Sequence, residues 1–282
     1  MRFAGEGFTA QAYWRSRLSP AMLPVFLLVA LYLAGCQANG DQDITGSITA
    51  PAESDPWQAA ARWGRLYDSN PDDKGTALNY ARMLRATAQN TQAVAVLQRL
   101  LVKHPKDLEV LAAYGKALAA AGRPREAAEV LANAQTPERP NWSVLSAQGL
   151  VADELGDHQQ AQAYYTEALK IAPAQPHVLS NLGLSYALSK KLPEAEKTLR
   201  EAAASPSADR AVRQNLALIL ALEGKFESAQ NVARQDLDEK EAAANVAAIR
   251  QMIAQSNTWK EIEALDAKPS KAAKSHAENS TK

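Results

Sequence analysis

Cys36 is the only thiol among the 282 residues, so no intramolecular disulfide can form. It ends the tetrad Leu33-Ala34-Gly35-Cys36, directly after a continuous apolar run over residues 21–34. The chemistry open to such a cysteine is that of a thiol nucleophile. The other reactive side chains are scattered. His104, His158, His177 and His276 sit at no metal-ligand spacing and read as surface residues. The paired acids Asp153-Glu154 and Glu194/Glu196 read as solvated helical surface. No glycine loop has the spacing that cradles a phosphate. Basic and acidic side chains both number 31, so there is no global basic surface to attract nucleic acid. The expectation is a protein that is not an enzyme, with no metal, no cofactor, no nucleic acid and no small-molecule substrate.

Arg2, Arg15 and Arg17 precede the apolar run, which holds 14 residues. That length is too short to cross a bilayer comfortably as a helix, and it matches the hydrophobic region of a secretory signal segment. Its ending looks like the lipobox of a bacterial lipoprotein precursor, where small residues fit the peptidase that cuts between Gly35 and Cys36. The reading is therefore a signal segment over residues 1–35 with lipid attachment at Cys36. An uncleaved anchor with an incidental cysteine is the alternative. Several acyl chains would hold the protein on a membrane stably, whereas one binds only marginally. Gln37, not Asp, follows the cysteine. In the Gram-negative sorting that this resembles, such a residue favours the outer membrane, here at its periplasmic face. Residues 36–54 are polar and aperiodic and read as a flexible tether. Its root-mean-square reach is about 25 Å, from ~5–6 Å × √n.

The remainder carries a comb of small residues. Ala59, Ala93, Ala127, Ala161, Ala195 and Ala229 lie 34 residues apart. Ala81, Gly115, Gly149, Gly183 and Ala217 keep the same step, and Pro71, Pro105, Pro140, Pro173 and Pro206 mark the unit ends to within one residue. Small residues let two helices approach closely, and proline cannot continue the second one. The period predicts an all-α solenoid of helix–turn–helix units over residues 55–255. Five full units occupy residues 74–107, 108–141, 142–175, 176–209 and 210–243. Gly122, Gly156 and Gly224 stand at the fifteenth position of their units, where glycine ends a helix in a left-handed cap. Ala88 and Lys190 hold that place in units one and four.

The ends of the array are atypical, as solenoid ends are. Asp55-Pro56 opens a lone helix carrying Ala59, Trp63 and Leu66 that stops near Asn70-Pro71. In unit five, Asp236, Asp238 and Glu239 replace the expected small residues and proline. Residues 241–253 form a capping helix with an apolar stripe at Ala242, Val246, Ile249 and Ile253. Trp259, Ile262 and Leu265 extend this cap or dock back on it. Residues 256–282 complete the helix and pass into a disordered tail.

This pattern resembles the tetratricopeptide (TPR) repeat, best matched by Leu182-Gly183-x-x-Tyr186 with Ala195 and Leu199, and by Gly149, Ala161, Tyr165, Ala168 and Pro173. The resemblance implies a right-handed superhelix whose first helices line a concave groove, with positions 2, 5, 6, 9, 12 and 13 tending to face it. Position 6 is Asn79, Asn181 and Asn215 in units one, four and five, with Ala113 and Ala147 between. An Asn side chain carries a donor and an acceptor and can grip an extended peptide backbone. Arg82, Arg85 and Lys116 make one end basic. Leu184, Leu188, Leu218 and Leu222 make the other apolar, unless burial under the capping helix explains them. Such a groove suits a mixed acidic and apolar partner segment. The whole arrangement over residues 33–265, including Asn257-x-Trp259-x-x-Ile262, resembles the TadD family, the TPR lipoproteins of the tight adherence (Tad/Flp) pilus assembly system. That likeness implies an outer-membrane-anchored scaffold that helps the pilus secretin assemble or localise. Another envelope TPR lipoprotein, scaffolding outer-membrane protein insertion or peptidoglycan enzymes, is the competing expectation.

Overall fold

The computed structural model describes residues 55–266, with side chains as far as residue 255. The expected signal segment 1–35, Cys36, the tether 36–54 and the tail beyond Asp266 lie outside the described residues. Within them the chain forms twelve α-helices and no β-strand. Helix α1 is Pro56–Ser69, followed by α2 Lys74–Ala86 with α3 Asn90–Lys103, and α4 Leu108–Ala120 with α5 Pro124–Ala132. Next come α6 Trp142–Glu154 with α7 His158–Ile171, α8 Pro176–Leu188 with α9 Leu192–Ala203, and α10 Arg210–Leu222 with α11 Phe226–Ala233. Helix α12, Glu239–Asp266, ends the described chain. The first helices of the five units start 34 residues apart. Each helix packs on the next, and each first helix also touches the first helix of the following unit. The expected all-α TPR solenoid is what the chain forms.

Local chemistry sets the helix starts. Asp55 accepts a hydrogen bond from the Trp57 amide at 2.9 Å, and Pro56 occupies the first helical position. That satisfies an amide with no partner inside the helix. The same device recurs at the unit boundaries. Asp73, Asp107, Asn141 and Asp209 all accept from amides in the first turn of the helix that follows. Gln175 holds the equivalent place before α8 without a side-chain cap bond.

The turns inside the units are equally regular. Gly122, Gly156 and Gly224 have φ of 71, 86 and 79°, and Ala88 and Lys190 follow them into the left-handed region at 57 and 62°. In all five, the next residue's amide reaches back to the carbonyl five positions earlier, as in Arg123 to Leu118 at 3.0 Å and Lys191 to Tyr186 at 2.9 Å. These bonds satisfy carbonyls left over at the helix end.

Packing explains the comb. Ala93, Ala127, Ala161, Ala195 and Ala229 are all fully buried. The second column of small residues faces a large one on the partner helix. A Cβ built on Gly115, Gly149 or Gly183 would stand 2.6 Å from Leu131, Tyr165 or Leu199 respectively. Unit five departs from this pattern. Ala217 faces Ala233 there, and Asp236 takes the place of the buried Leu100, Ala134, Ala168 and Ala202. Its charge is met by Arg213 of α10, which donates two hydrogen bonds to the carboxylate at 2.7 and 2.5 Å.

Helix α12 buries Ala242, Val246 and Ile249 against the last unit. It is longer than the 241–253 expected, and its backbone stays helical across residue 255. No glycine or proline lies between Glu239 and Asp266 to stop it.

Candidate partner-binding groove

One residue per first helix forms the ninth-position row: Arg82, Lys116, Leu150, Leu184 and Leu218. Arg82 is exposed and the other four are half-buried. The row runs from basic on α2 and α4 to apolar on α6, α8 and α10. Each member is tied differently to its surroundings. Arg82 donates to the Asn79 side-chain oxygen at 2.9 Å, while Asn79 donates to the Gly75 carbonyl at 2.9 Å. Asn79 therefore has a local partner on each side of its amide. Lys116 donates to the Ser143 hydroxyl of the next unit at 2.6 Å. Leu184 and Leu218 pack against the core cluster built on Leu216, Ile219 and Leu220. Asn181 and Leu188 are half-buried, and Leu222 is 39% exposed.

One expected groove residue needs correction. Asn215 does not face outward: it is 4% exposed and donates to the Ser180 hydroxyl of α8 at 3.0 Å. Ser180 is itself buried, so the pair joins units four and five from within. An Asn placed at the contact between two first helices gains more from a buried partner than from water. The described groove therefore offers Asn79 and Asn181 at its surface, not three asparagines in register.

A second correction concerns the acids of α6. Asp153 is not solvated surface, since only 9% of its side chain is exposed. It accepts from the Ser185 hydroxyl of α8 at 2.8 Å and lies 2.8 Å from His158 Nδ1 of α7. Burial pushes its carboxyl up, against the lowering effect of the His158 and Ser185 bonds. Ser185 bonds to the carboxylate rather than to the imidazole. The group therefore lacks the nucleophile–base contact that activates a serine and acts as a tie between units three and four. The adjacent Glu154 stays open to water, yet the protein around it and the Asp153 carboxylate push it up to about 7.

A pocket of about 140 Å³ was not foreseen. It lies between α10, α11 and α12, beside the Leu218 end of the row. The signal for it is present in the chain as the Ala217/Ala233 pair, where every other unit carries one large residue.

A family profile for the tetratricopeptide repeat matches residues 81–141 and 146–209. Among solved structures, PilW, described as a widely conserved type IV pilus biogenesis factor, is similar with a TM-score of 0.58 and 18% identity, over 82% of this chain and 99% of that one. A thermophilic TPR protein of Thermus thermophilus is similar with a TM-score of 0.53 and 22% identity, over 71% of this chain and 99% of that one. The Cut9–Hcn1 hetero-tetramer of the APC/C is similar with a TM-score of 0.57 and 14% identity, over 88% of this chain and 44% of that one. No curated protein matches the sequence. These likenesses concern the fold, and the fold is a scaffold for protein–protein interaction. The 34-residue units, the small-against-large helix pairing and the matching profile agree that residues 81–209 are built of tetratricopeptide repeats and that the described chain is a TPR solenoid.

Proposed function

We propose that this protein is a non-catalytic scaffold lipoprotein of the bacterial envelope. On this reading Cys36 carries the lipid that anchors it at the periplasmic face of the outer membrane, and the concave row holds a segment of a partner. The partner is a component of a Tad/Flp-type pilus secretion machine, with the secretin foremost. The observation that carries the scaffold is the row itself, which changes from Arg82 and Lys116 to Leu150, Leu184 and Leu218 along one face of the stack. A surface graded from charge to hydrocarbon is built to hold one extended chain in one direction. The lipobox-like tetrad supports the anchor, and the sequence resemblance over residues 33–265 supports the pilus system. PilW, described as a type IV pilus biogenesis factor, has a similar fold, which supports a place in pilus building.

Fractionation with Cys36→Ser tests the anchor, with release into soluble fractions as the expected result. Retention in the membrane with an uncleaved precursor would replace the lipid with a signal anchor. Cross-linking from the groove tests the partner, with a photoreactive residue at Leu184 or Asn181. Capture of the secretin or another pilus component supports the reading. Capture of an outer-membrane insertion factor or a peptidoglycan enzyme would move the protein to another envelope task.

A further inference from the structure

Unit five lacks the large residue that fills the other four units. Where they place Leu97, Leu131, Tyr165 and Leu199, it has Ala233 opposite Ala217. The neighbours do not recover that volume, and a pocket of about 140 Å³ remains. Its floor is Ala217 and Ala233, with Val246 and Ile249 of α12 along one wall. Gln214 and the exposed Asn245 give it a polar rim, and Leu218 belongs both to it and to the ninth-position row. Apolar cavities of roughly 150 Å³ take up benzene-sized molecules. Anchoring pockets at interfaces combine an apolar floor with a few polar groups.

Resting on the groove reading above, we infer that this pocket receives one bulky apolar side chain, aromatic or leucine, from the partner segment. That segment places its acidic residues over Arg82 and Lys116. Charge complementarity fixes the orientation, because the cationic members of the row stand at the far end from the pocket. The spacing follows from packing. Three helix-to-helix steps of about 8–10 Å separate α4 from α10. Extended chain covers about 3.3–3.6 Å per residue, so the anchor lies about eight residues from the acid over Lys116 and, one step further, about ten from the acid over Arg82. The corresponding place is filled in every other unit, so a segment has only one register in which its bulky side chain is accommodated.

The test displays a library of random 12-residue segments to the full mature chain in detergent, alongside Ala233→Leu. Unit one already buries Ala81 and Leu97 at the equivalent places, so the geometry accommodates the new leucine. Wild type should enrich segments pairing an acidic cluster with one aromatic or leucine about eight to ten residues away. Ala233→Leu should lose the preference for that bulky residue, with at least a tenfold weaker affinity for the best segment and an unchanged or higher melting temperature. Should Ala233→Leu melt lower, Asn245→Trp at the exposed rim obstructs the same mouth, and it should cause the same loss. Acidic segments enriched without a bulky anchor would overturn the pocket and leave the groove reading standing. Enrichment of nothing by wild type would overturn both. A concentration-dependent dimer abolished by Ala233→Leu would give the pocket to a second copy of the chain and overturn the inference.

Discussion

Units two to four and unit five are built on the same 34-residue frame, yet they solve the contact between their two helices differently. In the middle units a glycine receives a leucine or tyrosine: Gly115 with Leu131, Gly149 with Tyr165, Gly183 with Leu199. In unit five two alanines face each other, the adjacent apolar site has become the Arg213–Asp236 ion pair, and a pocket is left. The repeat is therefore a set of paired volumes, not a string of separate preferences. Where both members of a pair become small, the stack gains a hole, and where one becomes charged, it gains a partner of opposite sign.

The sharpest way to break the comparison is to reverse it. Gly149→Val places branched carbon where a single Cβ would already stand 2.6 Å from the Tyr165 ring. Overpacking of this kind costs roughly 1–3 kcal/mol or more. Because repeats lean on their neighbours, the loss should reach units three and four together. Ala217→Val, the same change in unit five, should be close to neutral. A thermal melt of both variants decides, and equal losses would show that the pocket is not spare volume.

The ion pair gives the next effect. Asp236→Ala strips Arg213 of its bidentate partner in a half-buried place, and hydrogen bonds to charged groups are worth about 1.5–3 kcal/mol. A denaturant midpoint that stays put would reduce the pair to surface decoration.

Lys190→Gly acts in the opposite direction. A side chain in the left-handed region costs roughly 1–2 kcal/mol, so glycine should stabilise unit four by about 1 kcal/mol. The same change at Gly224's neighbour Lys225, which has φ of −82°, should give no such gain.

The smallest effect is electrostatic. Glu154 is pushed from 4.5 up to about 7 in the folded chain, so the folded state binds its proton more tightly than the unfolded one. Its contribution to stability is present at low pH and is lost as pH rises from about 4.5 to about 7. Water reaches this side chain, so screening keeps the slope shallow. Glu154→Gln should flatten stability across that window, and an unchanged slope would assign the dependence to Asp153.

Much of this was legible along the chain. The unit phase, the left-handed turns and the buried alanines follow from residue type at fixed spacing, because each depends on a contact inside one helix pair. The caps Asp73, Asp107, Asn141 and Asp209 were not foreseen, although they keep the same 34-residue phase, and Gln175 breaks the column. Asn215 and Asp153 were not legible, since their burial depends on Ser180 and on His158 and Ser185, two of which lie in neighbouring units. Position within a repeat tells which side a residue leaves from, while the neighbouring repeat decides whether it meets water. Likewise Ala233 is one alanine among many in the chain and becomes a hollow only once α10, α11 and α12 surround it.

The lone helix α1 carries a consequence for how the molecule bears a load. It buries only Ala59 and Ala60 fully and packs chiefly on α2, with Tyr67 against Tyr80 at 5.4 Å between ring centres. Tension applied at residue 55 therefore reaches this helix, which has a neighbour on one side only, before any complete unit. The 14 residues of α1 lengthen from about 1.5 Å each as helix to about 3.4 Å each when drawn out. Peeling it adds about 25 Å of travel, a yielding segment that takes up the pull before the first complete unit feels it.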